Sequence, residues 1–435
     1  MEWTGEAKAG TPYWWDALED VPLEAGLPER CDLLVIGAGY TGLSAALAAE
    51  SCGARVVVLD AGEPGKGAST RNGGMFGAHP RLGWGLLAKR FGDDVADAIF
   101  AEAGPALDWV KALIADEGID CDLQATGRIQ LAWTAQQFEN QKKLAAHVRA
   151  KSDVEIETVA REDLHHEIAT ERYYGGIVLP QHCAIHPAKF HQGLLKAVLA
   201  RDIPVLGQTE VTKLNREGAG FEARTAKGII RADKVVLATN GYTTSAFRGH
   251  MARVFPLPSY IIATEELPAN LIGHIAPGRR MMVETRARHS YFRISPDGRR
   301  VLFGGRASMR EIDLPTAARR LKRTMCEVWP ELEEVKLSHV WTGNTGYSFE
   351  HMPNVGEDRG LHHAMGFSGS GTVMAPYLGA KAAYRAMGDA RGATAYAATR
   401  LVRHPLHPFE KPHFLKAADL WYRTVVDTRE RWQGR

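Results

Sequence analysis

The sequence predicts a two-domain α/β protein, α+β in its overall organisation. In it, a discontinuous Rossmann-like nucleotide-binding domain alternates with a second domain built on a mostly antiparallel β-sheet. A parallel strand–helix–strand pattern opens the chain, returns in its middle and closes it near the C-terminus. Antiparallel strands with tight turns interrupt that pattern twice, which favours two separate sheets over one. The chain has 435 residues, enough for two domains with sizeable cores.

The boundaries are placed where these patterns change. Helices are predicted at 86–117, 134–150 and 187–200, and antiparallel strands are concentrated between residues 250 and 335. The predicted segments are 1–29 for an irregular N-terminal arm, 30–85, 185–248 and 336–392 for the nucleotide-binding domain, 86–184 and 249–335 for the substrate domain, and 393–435 for a C-terminal extension.

The first element is a dinucleotide-binding unit. Leu33–Ile36 is typical of a buried parallel strand, Leu43–Ala49 predicts a helix, and Arg55–Leu59 predicts a second strand. The turn Gly37-Ala38-Gly39-Tyr40-Thr41-Gly42 lies between the first strand and the helix. In such a turn the first glycine allows the tight bend, the second lets the backbone approach a pyrophosphate, and the third lets helix and strand pack closely.

An acid completes this unit. Asp60 ends the second strand 18 residues beyond Gly42, where a ribose-binding carboxylate is expected. The helix N-terminus, with its unpaired N–H groups, would hold the pyrophosphate. A carboxylate at Asp60 repels a 2′-phosphate and so disfavours NADP. The alternative is a structural strand–helix turn without a ligand.

A second glycine-rich loop follows at Gly65–Gly74. Its glycines leave room for a flat ring, and Ser69 and Asn72 can bond phosphate or ring heteroatoms. Arg71 can meet a phosphate or a substrate carboxylate. An NAD site has no need of such a loop, although a mobile surface loop would show the same composition.

A third glycine-rich turn, Gly366–Gly371, precedes a helix that is expected to start near Thr372. It supplies a second positive helix end. Such an end suits the N1–C2=O edge of a flavin, because reduction places negative charge there. The two additional loops therefore favour FAD over NAD.

Together with Ala238-Thr239-Asn240-Gly241 and Phe303-Gly304-Gly305, these motifs resemble the FAD-dependent D-amino-acid oxidase superfamily, which includes glycine and sarcosine oxidases. The likeness runs from about Tyr13 to about Met387. It is nearest to the gamma-glutamylputrescine oxidase-type enzymes, which have a similar Tyr-Thr-Gly-Leu-Ser turn, Gly-Ala-Ser-x-Arg-Asn-Gly-Gly loop and Tyr291-Phe292-Arg293 segment.

The resemblance implies a two-domain fold and an FAD that takes a hydride equivalent from the carbon beside a primary or secondary amine. The imine would hydrolyse to an aldehyde or keto acid, and O2 would reoxidise the flavin. Alternatives are a dehydrogenase that passes electrons to a quinone or carrier, an NAD-dependent dehydrogenase, and a flavin-holding subunit of a complex without its own substrate.

The resemblance also implies a set of cofactor-binding residues. They are Gly37, Gly39, Tyr40, Thr41, Gly42, Asp60, Ala61, Gly67, Ala68, Ser69, Arg71, Asn72, Gly73, Gly74, Val211, Ala238, Thr239, Gly241, Gly343, Gly366, Gly369, Ser370, Gly371 and Thr372.

Substrate candidates lie in the predicted substrate domain; they are Tyr260, His289, Tyr291, Arg293 and Arg306. Related oxidases grip a carboxylate with an arginine at the position of Ser295. Arg293, two residues earlier on the same face of the strand as Tyr291, could replace it. A surface ion pair is the alternative for Arg293, and core packing is the alternative for Tyr260.

The flavin is expected to be noncovalent, because Arg71 occupies the place where some relatives carry a flavin-linked histidine. Cys326 lies in a predicted helix and is expected to be a core thiol. No metal is expected, since His182, His186, His362 and His363 lack a third ligand at matching spacing.

Composition bounds the remaining possibilities. Hydrophobic residues make up 45% and charged residues 24% of the chain, and the net charge of +2 is too small to argue for nucleic acid. Five cysteines without metal-type spacing predict free thiols. With no predicted membrane span or signal peptide, the expectation is a cytoplasmic enzyme whose partners are a small-molecule amine and O2 or an electron carrier.

Overall fold

The computed structural model describes residues 7–23, 25–151, 154–405, 407 and 412–433. The strands are β1 (Lys8–Ala9), β2 (Arg30–Ile36), β3 (Val56–Leu59), β4 (Met75–Phe76), β5 (Arg128–Leu131), β6 (Glu157–Ala160), β7 (Gly175–Leu179), β8 (Cys183–Ala184), β9 (Val205–Leu206), β10 (Lys213–Glu217), β11 (Gly220–Thr225), β12 (Gly228–Leu237), β13 (Val254–Thr264), β14 (Met281–Glu284), β15 (Ser290–Ile294), β16 (Val301–Gly305), β17 (Leu337–Ser348), β18 (Asn354–Asp358) and β19 (Leu361–Met365). The α-helices are α1 (Tyr40–Glu50), α2 (Trp84–Phe91), α3 (Asp93–Asp116), α4 (Ala135–Lys151), α5 (Pro187–Leu199), α6 (Arg248–Met251), α7 (Ala269–Ile275), α8 (Leu314–Val328), α9 (Gly371–Met387), α10 (Phe414–Trp421) and α11 (Asp427–Gln433).

One half of the molecule is an eight-stranded sheet around the predicted dinucleotide-binding unit. Its path runs β10-β11-β12-β2-β3-β9, and β19 pairs with β12 and β18. The central pairs β12·β2, β2·β3 and β3·β9 are parallel. Their carboxyl ends therefore meet at one edge, where the glycine turn after β2 and Asp60 after β3 lie side by side.

Helix α1 packs against α9 across the face of this sheet. The two helices approach so closely that a Cβ on Gly379 would lie 2.2 Å from the carbonyl oxygen of Thr41. Ten of the eleven residues of α1 are buried, from Tyr40 to Ala49. Its small alanine and glycine side chains allow this contact, which brings the N-termini of α1 and α9 toward the same site.

The other half is a nine-stranded sheet in the order β1-β17-β13-β16-β15-β14-β5-β7-β6. It is mainly antiparallel, with parallel pairs only at β1·β17 and β14·β5 among the described strands. Helix α8 covers one face and buries Leu321 and Met325 in the core of this half.

The structure corrects two predicted boundaries. Helices α2 and α3, predicted to begin the substrate domain at residue 86, bury Leu87, Ile99 and Val110 in the same core as helix α1 of the nucleotide-binding half. Residues 337–348, predicted to begin the last segment of the nucleotide-binding domain, form β17 of the nine-stranded sheet. They pair with β13 over almost its whole length. Polar residues such as His339, Thr342 and Asn344 hide the alternating pattern of this strand, so only its distant partner defines it.

The N-terminal arm is also more regular than predicted. Lys8–Ala9 adds a parallel strand to β17, and Tyr13–Ala17 forms a 3₁₀ helix. The indole of Trp14 donates to the carbonyl of Asn72 (2.8 Å), and that of Trp15 donates to the hydroxyl of Thr70 (2.8 Å). The arm thus braces the second glycine-rich loop.

The C-terminal extension folds back onto the nine-stranded half through α10, a π-helical turn at Tyr422–Val426, and α11. Buried Asp419 accepts hydrogen bonds from the hydroxyl of Ser308 (3.0 Å) and the N–H of Met309 (2.8 Å). Among the helices of the described ranges, none is both long and apolar enough to cross a lipid bilayer.

Candidate active site

A cavity of about 1080 Å³ is lined by residues from both halves of the molecule. Twenty of the 24 predicted cofactor-binding residues line it, and the other four do not. The twenty are Gly37, Gly39, Tyr40, Thr41, Asp60, Ala61, Gly67, Ala68, Ser69, Arg71, Asn72, Gly73, Val211, Ala238, Thr239, Gly343, Gly369, Ser370, Gly371 and Thr372.

The remaining four glycines lie behind the cavity wall. A Cβ on Gly42 would lie 1.7 Å from the carbonyl oxygen of Gly37, and one on Gly241 would lie 2.9 Å from the Cα of Gly346. Gly74 (φ +70°) and Gly366 (φ +81°) have left-handed backbones. These positions need glycine for the backbone path and for close packing, which is a supporting role.

The turn after β2 is held by Asp60. Its Oδ2 accepts a hydrogen bond from the N–H of Ala38 (2.7 Å), and its Oδ1 accepts one from the N–H of Gly62 (2.9 Å). Burial nevertheless raises the pKa of the Asp60 carboxyl above its ordinary value. The carboxylate lines the cavity beside Gly37 and Gly39, the arrangement that dinucleotide binding requires.

The second loop is fixed to the start of α1. The hydroxyl of Ser69 accepts from the N–H of Tyr40 (3.0 Å). The amide of Asn72 donates to the carbonyl of Ser69 (2.8 Å) and accepts from the N–H of Gly74 (2.9 Å). The side chain of Asn72 therefore shapes the loop, and the backbone of the loop faces the cavity.

Arg71 lines the cavity, but main-chain carbonyls already bind its guanidinium. It donates to Lys66 (2.8 Å) and to Thr342 (3.0 Å), and it stacks 4.6 Å from the ring centre of Trp15. Burial lowers its pKa. These contacts join the loop to β17 and to the arm, which indicates a structural role rather than the predicted contact with a phosphate or a substrate carboxylate.

The third turn forms the N-terminus of α9. Gly369 (φ +103°), Ser370 and Gly371 line the cavity, and α9 continues for 17 residues. Its positive end therefore faces the cavity, as the end of α1 does.

Three of the five substrate candidates line the cavity, namely His289, Tyr291 and Arg306. The ring of Tyr291 lies so close to Gly73 and Gly304 that a Cβ on either glycine would come within 2.9 Å of it. Its hydroxyl is 2.9 Å from that of Ser259. Tyr291 thus lies between the second glycine loop and the nine-stranded sheet.

The other two candidates, Tyr260 and Arg293, do not line the cavity. The hydroxyl of Tyr260 accepts from the N–H of Ile312 (2.9 Å) inside the core of the nine-stranded half. Arg293 is 2% exposed and donates to the carbonyls of Ile185 (2.8 Å) and Ile294 (3.1 Å). Both residues hold the scaffold together, so neither the expected carboxylate grip at Arg293 nor its surface alternative fits these contacts.

Sequence reasoning named Arg306 but missed Arg81 and Tyr347, with which Arg306 forms a cationic cluster in the cavity. The guanidinium carbons of Arg306 and Arg81 lie 4.8 Å and 5.1 Å from the ring centre of Tyr347, and Arg306 also donates to its hydroxyl. The buried Nη1 of Arg306 has no hydrogen-bond partner among the described residues. Among the described residues, no carboxylate lies within ion-pair distance of Arg81 or Arg306. The position of Arg81 just after the second glycine-rich loop was the sequence signal that could have identified it.

Histidines in the cavity add no positive charge at neutral pH. Burial, together with Arg306 and Arg81, lowers the pKa of His289 to about 3. The same causes and Arg90 lower the pKa of His351 to about 4. Unpaired positive charge in this part of the site therefore comes from arginines alone.

The donor set fits FAD. Two helix N-termini, a glycine turn and Asp60 line one cavity whose volume is at the upper end of the range for small-molecule sites. No cysteine is among its lining residues, and Cys326 lies on α8 outside it. The noncovalent attachment of the flavin stays a prediction.

Fold and site together define a flavin-dependent oxidoreductase. The family model described as FAD dependent oxidoreductase matches residues 32–385. The chain belongs to this family, which confirms the predicted family and the predicted cofactor, FAD.

Individual relatives are also named as oxidoreductases. The chain is 29% identical over 397 residues to a probable oxidoreductase OrdL of Rhizobium meliloti, an alignment that covers 89% of this chain and 91% of the relative. It is 28% identical over 375 residues to gamma-glutamylputrescine oxidoreductase of Escherichia coli, covering 84% and 86%.

The crystal structure of glycine oxidase from Geobacillus kaustophilus superposes with a TM-score of 0.73 at 19% identity. The superposition covers 87% of this chain and 100% of that structure. It confirms the predicted fold class.

Proposed function

We propose that this protein oxidises the C–N bond of a primary or secondary amine that also carries an anionic group. The amine loses two electrons and two protons to become an imine, water hydrolyses the imine to an aldehyde or keto acid, and O2 accepts the electrons. The name of the Escherichia coli relative, an oxidoreductase of an amine, supports the substrate class.

The observation that carries the proposal is the pair Arg81 and Arg306, which both lie within about 5 Å of the Tyr347 ring centre. A guanidinium that lines a cavity without a carboxylate partner is suited to bind an anion of the substrate. The same two positive charges disfavour an ammonium beside them and lower its pKa. The amine is thereby held in the neutral form, whose lone pair the oxidation needs.

Bound FAD supplies the two-electron acceptor, and this chain's residues position the substrate against it. Tyr291 closes one wall through its contacts with Gly73 and Gly304. His289 is neutral, so it can accept or donate a hydrogen bond without adding charge. Bringing amine and acceptor together in one enclosed cavity is the main catalytic contribution expected from the protein.

Anaerobic reduction of the flavin tests this proposal. Bound flavin absorbs at roughly 375 and 450 nm, and an amine substrate should bleach the second band. The panel includes N-methyl amino acids, D-amino acids, glycine, gamma-glutamyl-polyamines and aminophosphonates, each paired with an uncharged amide or ester.

Anionic amines are expected to bleach the flavin at concentrations about 100-fold lower than their uncharged partners, because an unpaired charged site discriminates by a few kcal/mol. If no amine bleaches it, the proposal fails. A dehydrogenase that passes electrons to a quinone or carrier is the alternative. Slow reoxidation in air together with fast reoxidation by a quinone would select it.

A further inference from the structure

In addition to Arg81 and Arg306, a second cationic and polar group lines the cavity. It consists of Arg128 at the start of β5 and His79 after β4, and His182, which does not line the cavity, packs against His79. Arg128 is 8% exposed, and its buried Nε has no hydrogen-bond partner among the described residues. Among the described residues, no carboxylate lies within ion-pair distance of Arg128.

The two imidazoles share this condition. Their ring centres are 5.2 Å apart, and the Nδ1 atoms of both His79 and His182 are buried without a hydrogen-bond partner among the described residues. Burial and the charge of Arg128 lower the pKa of both imidazoles well below the ordinary value. Both are therefore neutral and able to donate one hydrogen bond each.

Other buried arginines in the same half show what is unusual about Arg128. Arg293 is also buried, and burial lowers the pKa of each to about 10. Arg293 donates hydrogen bonds from its N–H groups to the carbonyls of Ile185 and Ile294. Arg286 is paired with the buried carboxylate of Glu284. A buried guanidinium without such partners is costly, so an anion from outside the chain is the partner that fits.

We propose that Arg128, with His79, forms a second anion subsite in the cavity, so that the substrate is an amine with two anionic ends. One end binds at Arg81 and Arg306, as in the proposed function, on which this inference rests. The other end binds at Arg128. Arg128 and Gln130 are two residues apart on β5, and both line the cavity, so the strand presents this subsite on one face.

Calorimetric binding of carboxylates that cannot be oxidised tests the subsite on the flavin-loaded protein. Succinate is compared with butyrate, glutarate with valerate, and adipate with hexanoate, at about 150 mM salt to screen nonspecific attraction. At the best-matching length, the dicarboxylate is expected to bind at least 10-fold more tightly than the monocarboxylate with the same number of carbons. The preferred length reports the separation of the two subsites.

Substitutions test whether Arg128 is responsible for the dicarboxylate preference. Arg128→Gln should reduce the dicarboxylate advantage to less than twofold, whereas Arg128→Lys should retain most of it. Arg306→Met should weaken both classes. Arg216→Gln, at an exposed arginine outside the cavity, is the matched control. Flavin content and circular dichroism verify that each variant is folded.

Two results would overturn the subsite. They are equal affinity for mono- and dicarboxylates at every length, and a dicarboxylate advantage that persists in Arg128→Gln. Because binding is measured without turnover, the subsite is judged separately from the amine oxidation. Bleaching by no amine refutes the proposed function, and an Arg128-dependent dicarboxylate preference still supports the subsite.

Discussion

The two ends of the cavity are built by different means. The cofactor end, around Gly37, Asp60 and Gly371, presents backbone N–H groups and two helix termini. The proposed substrate end presents arginine side chains from separate elements, Arg81 from a loop and Arg306 from the segment after β16. Backbone geometry therefore defines the cofactor end, and the chemistry of side chains defines the substrate end.

This difference predicts different responses to substitution. Added atoms at Gly37 and Gly42 collide with main-chain carbonyl groups, which cannot move without disturbing the fold. Removed charges at the substrate end leave the fold in place and change what binds. Substitutions at the cofactor end should therefore prevent the site from assembling, and substitutions at the substrate end should lower its affinity for the substrate.

The largest effect is expected at Gly42. A Cβ there would lie 1.7 Å from the carbonyl oxygen of Gly37, so Gly42→Ala must displace α1 from β2. We expect flavin binding to weaken at least 100-fold, measured by the absorbance near 450 nm after purification. Gly273→Ala, on α7 with open space around it, is the control and should bind flavin normally. Normal flavin content in Gly42→Ala would contradict the assembly argument.

A smaller effect, confined to the substrate end, is expected at Arg306. Arg306→Met keeps the packing on Tyr347 and removes the charge, so kcat/KM for an anionic amine should fall, and the corresponding activation free energy should rise by about 2–4 kcal/mol. Flavin content should not change. Equal losses for an anionic amine and its uncharged ester would show that Arg306 acts on the scaffold instead of on the substrate. Steady-state kinetics with both substrates separates these cases.

The smallest effect concerns acid stability of the cofactor end. The Nε2 of His191 lies 2.7 Å from the carbonyl of Ala38, and burial lowers the pKa of His191 to about 4. The unfolded chain, with an ordinary pKa, therefore binds more protons between pH 6.5 and 4. Stability from His191 is fully present above pH 6.5 and falls as the pH drops, by about 1.4 kcal/mol per unit at the steepest.

His191→Gln keeps a donor toward Ala38 and cannot be protonated. Its free energy of unfolding in urea should therefore fall less steeply than that of the unsubstituted protein between pH 6 and 4.5. His413→Gln, at an exposed histidine, should leave the slope unchanged. Identical slopes for His191→Gln and the unsubstituted protein would rule out this source of acid sensitivity.

The same contrast explains what the sequence could predict. Glycine spacing between Gly37 and Gly42, the position of Asp60 and the loop at Gly65–Gly74 are local patterns imposed by backbone geometry, so they predict the cofactor end. Arg81 and Tyr347 meet, and Arg128 reaches the same cavity, only through the pairing of distant strands and loops. Arg293 and Tyr260 lay on the predicted strands, but which face is buried depends on neighbours that the local pattern does not contain.

The pairing of Lys8 with His339 has a consequence for how the protein is made. Ribosomes add about 5–20 residues per second, so the arm waits tens of seconds before β17 is synthesised. Until then Trp14 and Trp15 cannot brace the loop against its final neighbours. The second glycine-rich loop therefore reaches its final packing late in synthesis. Gly369–Thr372, which also line the cavity, are made later still, so the complete cavity forms only after most of the chain has been synthesised.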